Sequence, residues 1–254
     1  MQLTMLGVGS SAGTPAVGCS CATCLSDNPR NKRTRCSSVI ALDTGETILI
    51  DTGPDLRIQS LRENIKRVDA VLYTHTHADH LHGIDDLRAF CQIQRMQIPL
   101  YAKEDAIAHI SQKFGYVLRE PSDFWEMPVL RTETISEPFE LFGVKVTPIP
   151  VLHGRSQIFG YRIGNVAYMT DVSEIPEASF ALLEDLDIVL LDCLREKFHP
   201  THINIEQSLS YIGRIKAKQS YMIHMTHELE YASLTEKLTK NVFVGFDGLK
   251  LNIS

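Results

Sequence analysis

The sequence predicts an α/β fold in which two β-sheets pack face to face and helices cover their outer sides. The chain has 254 residues, of which 44% are hydrophobic, so it can form a sizeable core. Strand-like runs are followed by helix-like runs in both halves of the chain. No linker, repeat or low-complexity tract interrupts this order, so residues 1–254 are expected to form one domain.

Local composition predicts each element in turn. Short apolar runs predict strands at Leu3–Leu6, Ser38–Leu42, Thr47–Ile50, Ala70–Tyr73, Pro99–Ala102, Val144–Ile149, Phe159–Ile163, Val166–Met169, Ile188–Leu191, Ser220–Ile223, Val242–Gly245 and Leu249–Ile253. Longer runs predict helices at Pro54–Arg62, Ile84–Gln92, Glu104–Lys113, Pro176–Leu183, Ile205–Lys216 and Ser233–Leu238. Asn204 with Gln207 three residues later has the pattern of a capping box, which predicts a helix start at Ile205.

The chemistry is concentrated in a run that reads H-x-H-x-D-H from His75 to His80. It places three imidazoles and one carboxylate directly after an apolar strand. Imidazole suits zinc, iron and manganese, and a carboxylate can be shared between two ions. A purely structural role would leave four adjacent polar groups in need of partners. The run therefore predicts a metal site that includes Asp79.

Three further residues follow the same pattern of an apolar run that ends in a ligand. They are His153, Asp171 and His224. Taken alone, a histidine is more often a structural residue, and an aspartate after a strand is more often a turn or helix cap. Taken with the H-x-H-x-D-H run, they supply enough ligands for a dinuclear centre with open positions for water.

A second cluster of ligands lies near the N-terminus, where Cys19, Cys21 and Cys24 have the spacing C-x-C-x2-C. Three thiolates and one imidazole make a closed tetrahedral set for structural zinc, and His227 is the favoured fourth ligand because it shares a short loop with His224. Free thiols or a disulfide are the alternatives, but the chain has no secretory signal. The remaining cysteines are expected to be small buried hydrophobes, namely Cys36, Cys91 and Cys193.

The H-x-H-x-D-H run, with His153, Asp171 and His224 in this order, resembles the metallo-β-lactamase superfamily from Leu3 to about Ile253. The segments Gly18–Cys24 and His224–His227 resemble its PhnP-type phosphodiesterases, which hydrolyse cyclic phosphates such as phosphoribosyl cyclic phosphate. Relatives of that branch include tRNA 3′-processing phosphodiesterases and a cofactor-biosynthesis protein with the same cysteine cluster.

The resemblance implies a four-layer αβ/βα sandwich with its ligands along one edge. It implies one ion held by His75, His77 and His153, and a second held by Asp79, His80 and His224, with Asp171 bridging both. It also implies a structural zinc held by Cys19, Cys21, Cys24 and His227. The catalytic ions are expected to be manganese or zinc. His202 matches a histidine that acts near the leaving group, so Asp79, Asp171 and His202 are the expected catalytic residues.

Supporting roles are expected for two carboxylates at strand ends, Asp51 and Asp192. Three further histidines are not expected to be ligands: His82 is expected near the rim, His109 on the exposed surface, and His199 loses the catalytic role to His202. The segment Arg119–Glu137 contains Phe124 and the only tryptophan, Trp125, and is expected either to cap the core or to form a lid.

These observations predict a metal-dependent hydrolase, most specifically a phosphodiesterase acting on a small cyclic phosphodiester. Two ions roughly 3.5–4 Å apart lower the pKa of a shared water from ~16 to about 7, which supplies a hydroxide nucleophile. The alternatives are a tRNA 3′-processing nuclease and an ester, lactone or thioester hydrolase on the same scaffold. An iron oxidoreductase and a non-catalytic partner of a biosynthetic pathway are further alternatives.

The expected partners follow from charge and from the absence of targeting signals. The net charge of −6 disfavours nucleic acid, although Arg30–Arg35 is a dense basic run that is expected to be either a solvated loop or a phosphate-facing rim. The first residues lack the pattern of a signal peptide, and no stretch approaches the ~20 apolar residues of a membrane helix. A cytoplasmic enzyme with a small-molecule substrate is expected, and a homodimer would be ordinary.

Overall fold

The computed structural model of the protein describes residues 1–118 and 130–253. In this part of the chain, two mixed sheets each contain seven strands. The strands are β1 Gln2–Gly7, β2 Ser37–Ala41, β3 Thr47–Ile50, β4 Ala70–Leu72, β5 Pro99–Ala102, β6 Arg131–Thr134, β7 Phe139–Leu141, β8 Val144–His153, β9 Ser156–Ile163, β10 Val166–Met169, β11 Ile188–Asp192, β12 Gln219–Ile223, β13 Val242–Val244 and β14 Lys250–Asn252. Their order is β14-β1-β2-β3-β4-β5-β6 in the first sheet and β13-β12-β11-β10-β9-β8-β7 in the second.

The helices that cover these sheets are short. They are α1 Ala22–Leu25, α2 Leu56–Arg62, α3 Ala78–Leu81, α4 Leu87–Gln94, α5 Glu104–Phe114, α6 Ile205–Ile215 and α7 Tyr231–Lys237. Turns of 3₁₀-helix lie at Pro29–Asn31, Ile84–Asp86, Gly115–Leu118 and Glu177–Leu183. The predicted capping box is present, because Asn204 Oδ1 accepts the Gln207 backbone N–H and Gln207 Oε1 accepts the Asn204 backbone N–H. None of the helices in the described ranges has the length and apolar character that crossing a membrane requires.

Alternating side chains of the strands separate two hydrophobic clusters. In β3, Ile48 and Ile50 belong to the large cluster between the sheets, whereas Leu49 belongs to a second cluster on the outer side of the first sheet. That outer cluster includes Phe90 of α4 and Ile110 of α5. Helices α6 and α7 contact strands of the second sheet. The predicted four-layer αβ/βα sandwich is therefore confirmed.

The parallel strands determine where the polar side chains collect. In the first sheet, β3, β4 and β5 are parallel and pair Ile50 with Leu72 and Leu72 with Tyr101. In the second sheet, β10, β11 and β12 are parallel and pair Met169 with Leu191 and Leu191 with Met222. The carboxyl ends of neighbouring parallel strands lie at the same edge, so the residues that follow each strand are brought together.

Some of the predicted boundaries differ from the structure. The strand predicted at Val144–Ile149 continues to His153, and the strand predicted at Phe159–Ile163 begins at Ser156, so β8 and β9 form a long hairpin. In the segment Arg119–Glu137, for which a cap or a lid was expected, Arg131–Thr134 forms β6 at the edge of the first sheet. Phe124 and Trp125 lie outside the described residues.

Candidate metal centre

Three residues at the carboxyl ends of strands adopt left-handed backbone conformations. Asp51 follows β3 with φ 60°, Asp171 lies two residues after β10 with φ 57°, and His224 follows β12 with φ 59°. Non-glycine residues rarely adopt this conformation, which costs free energy and recurs at functional sites. At these positions it turns a polar side chain out of the strand direction at the edge where the two sheets meet.

The first group of ligands surrounds one oxygen of Asp171. His75 Nε2 lies 3.8 Å and His153 Nε2 lies 3.9 Å from Asp171 Oδ1. His77 belongs to the same group, since one ligand atom of each of these four residues lies within 4.8 Å of the others. His77 is exposed whereas the other members are buried, so this side of the group opens towards solvent.

The second group surrounds the other oxygen of the same carboxylate. His80 Nε2 lies 3.0 Å and His224 Nε2 lies 3.3 Å from Asp171 Oδ2. Asp79 Oδ2 lies 3.2 Å from His80 Nε2 and 3.7 Å from His224 Nε2. Asp171 therefore stands between two groups of candidate ligands, and each group brings together the residues that the resemblance assigned to one ion.

Metal ions fit these two groups better than hydrogen bonds do. The buried Nε2 atoms of His75, His80 and His224 have no hydrogen-bond partner in the described part of the chain, although carboxylate oxygens lie close by. Two ligands at ~2.1 Å from a tetrahedral ion are about 3.4 Å apart, which is the range of separations seen here. A buried nitrogen without a partner is costly unless a cation accepts its lone pair.

Charge differs between the imidazoles of the two groups. Burial lowers the pKa of His153 and, together with nearby His80, that of His75, so both rings stay neutral and can donate lone pairs. In the second group burial alone would lower the pKa values, but Asp171 and other carboxylates raise the pKa of His80 well above its ordinary value and that of His224 to about 10. Without an ion, protons occupy the place of a cation in this group.

Asp51 supports both groups through a fully buried hydrogen-bond network. Its Oδ1 accepts the Thr74 backbone N–H at 2.8 Å, and its Oδ2 accepts the Thr74 hydroxyl at 2.8 Å and His80 Nδ1–H at 2.7 Å. Thr74 Oγ1 also lies 3.0 Å from His75 Nδ1, whose proton it can accept. These contacts direct the Nε2 atoms of His75 and His80 towards Asp171, as outer partners of metal ligands commonly do.

His202 lies beside both groups and is held by Asp192, which ends β11. Asp192 Oδ2 accepts His202 Nδ1–H at 2.9 Å and the Val172 backbone N–H at 2.8 Å. The other ring nitrogen, His202 Nε2, lies 3.8 Å from Asp171 Oδ1. The His202 ring stacks on His224 with centroids 4.9 Å apart. Asp192 therefore fixes the ring so that Nε2 points towards the metal groups.

The cysteine cluster forms a separate group in which the predicted fourth ligand is present. Sγ of Cys19 and Sγ of Cys21 lie 3.5 Å and 3.3 Å from His227 Nδ1, and Cys24 completes the set. The hydrogen bond with His227 lowers the pKa of the Cys21 thiol to about 6, which favours the thiolate that zinc requires. The other cysteines, Cys36, Cys91 and Cys193, are buried and at most 1% exposed, as predicted.

The loop that carries His227 connects the two regions. The Met225 backbone N–H donates to Val8 O, and the Ser10 backbone N–H donates to Met225 O, so this loop is tied to the end of β1. His224 belongs to the second metal group and His227 to the cysteine group, with two residues between them. The cysteine cluster and the candidate centre are therefore connected by one short loop.

A cleft of about 200 Å³ lies beside the first group, and His75, His77 and His153 form part of its wall. His109 of α5 also lines this cleft and is half-buried, whereas a position on the exposed surface was expected. Lys103 and Asp105 line it as well, and the sequence offered no signal for them because a helix-like run does not show which side faces a cleft. His82 contacts Phe114 instead of either group, and His199 contacts Thr201 and the His202 ring.

Residues 46–225, more than half of the chain, match the Beta-lactamase superfamily domain. The chain belongs to this superfamily. The structure of a diphosphatase from the PhnP family is 42% identical to it, with a TM-score of 0.92, and covers 98% of this chain and 96% of that one. The predicted PhnP-type branch is therefore confirmed, and so is the class of metal-dependent hydrolase at the level of the superfamily.

Other proteins similar to this chain carry different names. The octanoyltransferase of Porphyromonas gingivalis (strain ATCC BAA-308 / W83) is 37% identical over 254 residues, 98% of this chain and 51% of that protein, so this chain spans about half of its length. Two solved structures show the fold alone. They are Zn²⁺-bound PqqB from Methylobacterium extorquens (22% identity, TM-score 0.82) and the short form of human tRNase Z (16% identity, TM-score 0.75), each covering 100% of both chains.

Proposed function

We propose that the protein is a metal-dependent phosphodiesterase that acts on a small phosphodiester, such as phosphoribosyl 1,2-cyclic phosphate. The observation that carries the proposal is the position of Asp171, whose two oxygens face two different sets of ligands. In the proposal, His75, His77 and His153 hold one divalent ion, and Asp79, His80 and His224 hold the other. When bound, these ions would activate water and neutralise the oxygens of a phosphate.

The protein residues then position the substrate and move one proton. His202 is 11% exposed and its Nε2 points into the centre, while Asp192 accepts its Nδ1 proton. In the proposal, the protonated ring donates its Nε2 proton to the oxygen that leaves phosphorus. Proton donation of this kind typically raises the rate about 10²–10⁴-fold, most of all for leaving groups that are strong bases. We expect a contribution of this size from His202.

Hydrolysis of a diphosphate is a second candidate, and a specific comparison favours it. The solved structure at 42% identity is that of a diphosphatase, and a diphosphate also presents a phosphorus atom with a leaving oxygen to the same centre. The name octanoyltransferase on the Porphyromonas relative suggests an acyl reaction instead, but about half of that protein lies outside the match. The cysteine group would hold a structural zinc in either case.

The test is a substrate panel with the full chain loaded with manganese or zinc. The panel contains bis(p-nitrophenyl) phosphate, phosphoribosyl 1,2-cyclic phosphate, a nucleoside diphosphate, a precursor tRNA, a lactone and an octanoyl thioester. We expect turnover of the small phosphates, and we expect it to disappear in Asp171→Asn. Turnover of the thioester or lactone with none of the phosphates would overturn the proposal. Full metal content without turnover of any substrate would identify a non-catalytic partner.

A further inference from the structure

The cleft beside the first metal group is also lined by a lysine, Lys103, that the metal chemistry does not use. We propose that Lys103 binds a second phosphate of the substrate, next to the phosphate at which the bond is broken, and that Asp105 is the counter-ion that Lys103 leaves on binding. This inference rests on the proposed function, since it places the reacting phosphate at the groups that contain His75, His77 and His153.

The position of Lys103 follows from the cleft itself. Lys103 precedes α5, and the opposite wall is formed by the metal-binding histidines and by Ser156 and Gln157 of β9. Lys103 Nζ lies 3.4 Å from Gln157 O, so its side chain reaches across from α5 to β9. The side chain is 31% exposed and lies along the cleft instead of extending into solvent. Among the described residues that line the cleft, Lys103 carries the one ammonium group.

The present partner of Lys103 is weakly bound. Lys103 Nζ lies 2.9 Å from Asp105 Oδ2, and the Asp105 side chain is 69% exposed. Ion pairs between solvent-exposed groups contribute little, because water screens them and holding two side chains together costs entropy. A phosphate carries more charge than one carboxylate and offers more acceptors to an ammonium group. A phosphate that enters the cleft can therefore replace Asp105 as the partner.

The shape of the helix leaves room for such a group. Lys103, just before α5, and Ala106 and His109 within it are spaced three residues apart, and all three line the cleft. Ala106 between the two polar residues is small and buried, so the wall is recessed there. The cleft volume of about 200 Å³ is of the size of a sugar phosphate or a diphosphate.

The alternative is that Lys103 only ties α5 to β9 through Gln157. The two explanations predict different results for a pair of opposite substitutions. If Lys103 binds phosphate, Lys103→Met weakens binding of a ligand with two phosphates, whereas Asp105→Asn removes a competitor and tightens it. If the pair is structural, both substitutions impair the protein in the same direction.

The experiment measures ribose 1,5-bisphosphate and ribose 1-phosphate as competitive inhibitors of bis(p-nitrophenyl) phosphate hydrolysis by the metal-loaded chain. In the native protein we expect the bisphosphate to bind at least about tenfold more tightly than the monophosphate, as one added charged hydrogen bond provides. Lys103→Met should abolish this preference, and Asp105→Asn should increase it. The control is Lys113→Met, which removes an exposed lysine near the other end of α5. It should change nothing.

Bis(p-nitrophenyl) phosphate has no second phosphate and serves only as the reporter substrate, so the ratio of the two inhibition constants is compared between variants and does not depend on their turnover of it. An unchanged preference in Lys103→Met, or a loss of preference in both variants, would overturn the inference. If the native protein hydrolyses no phosphate, the proposed function fails, and the same ratio is then measured by calorimetry on the metal-loaded protein. A failed diesterase assay and a failed Lys103 inference are thus distinguishable.

Discussion

Replacing Asp51 with asparagine tests whether the candidate centre is held together from behind. Asp51 is 0% exposed and accepts three hydrogen bonds, from the backbone and hydroxyl of Thr74 and from His80 Nδ1. Asparagine has the same size but only one acceptor oxygen, so its NH₂ group must face one of these donors. Asp51→Asn therefore loses at least one hydrogen bond to a charged acceptor with little change in shape.

The size of the effect follows from that lost bond. A hydrogen bond to a charged group contributes about 1.5–3 kcal/mol, which corresponds to roughly 10–150-fold in an equilibrium constant. Loss of the partners of metal ligands typically costs about 10–100-fold in metal affinity, in agreement with this figure. His80 loses its direct partner, whereas His75 is affected only through Thr74. The group that contains His80 should therefore lose its ion first.

The assay is metal content per chain after dialysis against graded concentrations of a chelator. Asp69→Asn is the matched control, because Asp69 is also buried and accepts the Thr47 backbone N–H at 2.8 Å, but it precedes β4 at the other end of the strand. Both variants should be less stable than the native protein, and only Asp51→Asn should release metal at lower chelator concentration. Equal metal retention by the two variants would refute the reasoning.

Three further predictions concern separate parts of the centre. Cys21→Ala should hold one metal ion fewer per chain, and its melting temperature should be several degrees lower because a structural ion is lost. An unchanged melting temperature would show that the cysteine group does not stabilise the fold. His202→Ala should keep its metals and lose about 10²–10⁴-fold in kcat for diesters with basic leaving groups, and full activity on them would remove it from the reaction. Burial alone would lower the pKa of His224, but Asp171 and Asp192 raise it to about 10. The stability that the protonated ring contributes is thus fully present below about pH 6.5 and is lost as the pH rises towards 10. Over this range the melting temperature of the chelator-treated protein should fall more than that of the metal-loaded protein.

The membership of the candidate metal groups was accessible from sequence because their residues either lie in one short run after β4 or stand at the ends of later strands. His75 to His80 are local, and one loop brings them together. Asp171 and His224 are distant in sequence, but they follow parallel strands whose carboxyl ends share an edge. A polar residue that directly follows an apolar strand could therefore be predicted to lie near the others of its kind in the fold.

Features that depend on neighbouring chain segments were not accessible. The predicted strand Val144–Ile149 stops short of His153, where β8 ends, and β8 contains two prolines, which usually interrupt strands. Pro148 and Pro150 pair with Tyr161 and Phe159 of β9, whereas β7 pairs with β8 only at Val144–Val146. The two prolines are two residues apart, so their nitrogen atoms face the same edge of β8. This is the edge that β7 does not pair with at these two residues, so no hydrogen bond of the sheet is lost and the strand continues. The position of His109 in the wall of the cleft was missed for a similar reason, since the packing of α5 decides it.

The two ligand sets around Asp171 differ by one acidic group. The set of His75, His77 and His153 offers only imidazoles besides one oxygen of Asp171, whereas the other set adds Asp79. Carboxylate oxygens favour manganese, and imidazoles serve zinc well. If both sets hold ions as proposed, a chain supplied with both metals should become heterometallic, with manganese enriched on the Asp79 side. Exchanging Asp79 for histidine would then erase the difference between the halves, and the ratio of the two elements in the purified enzyme would report it.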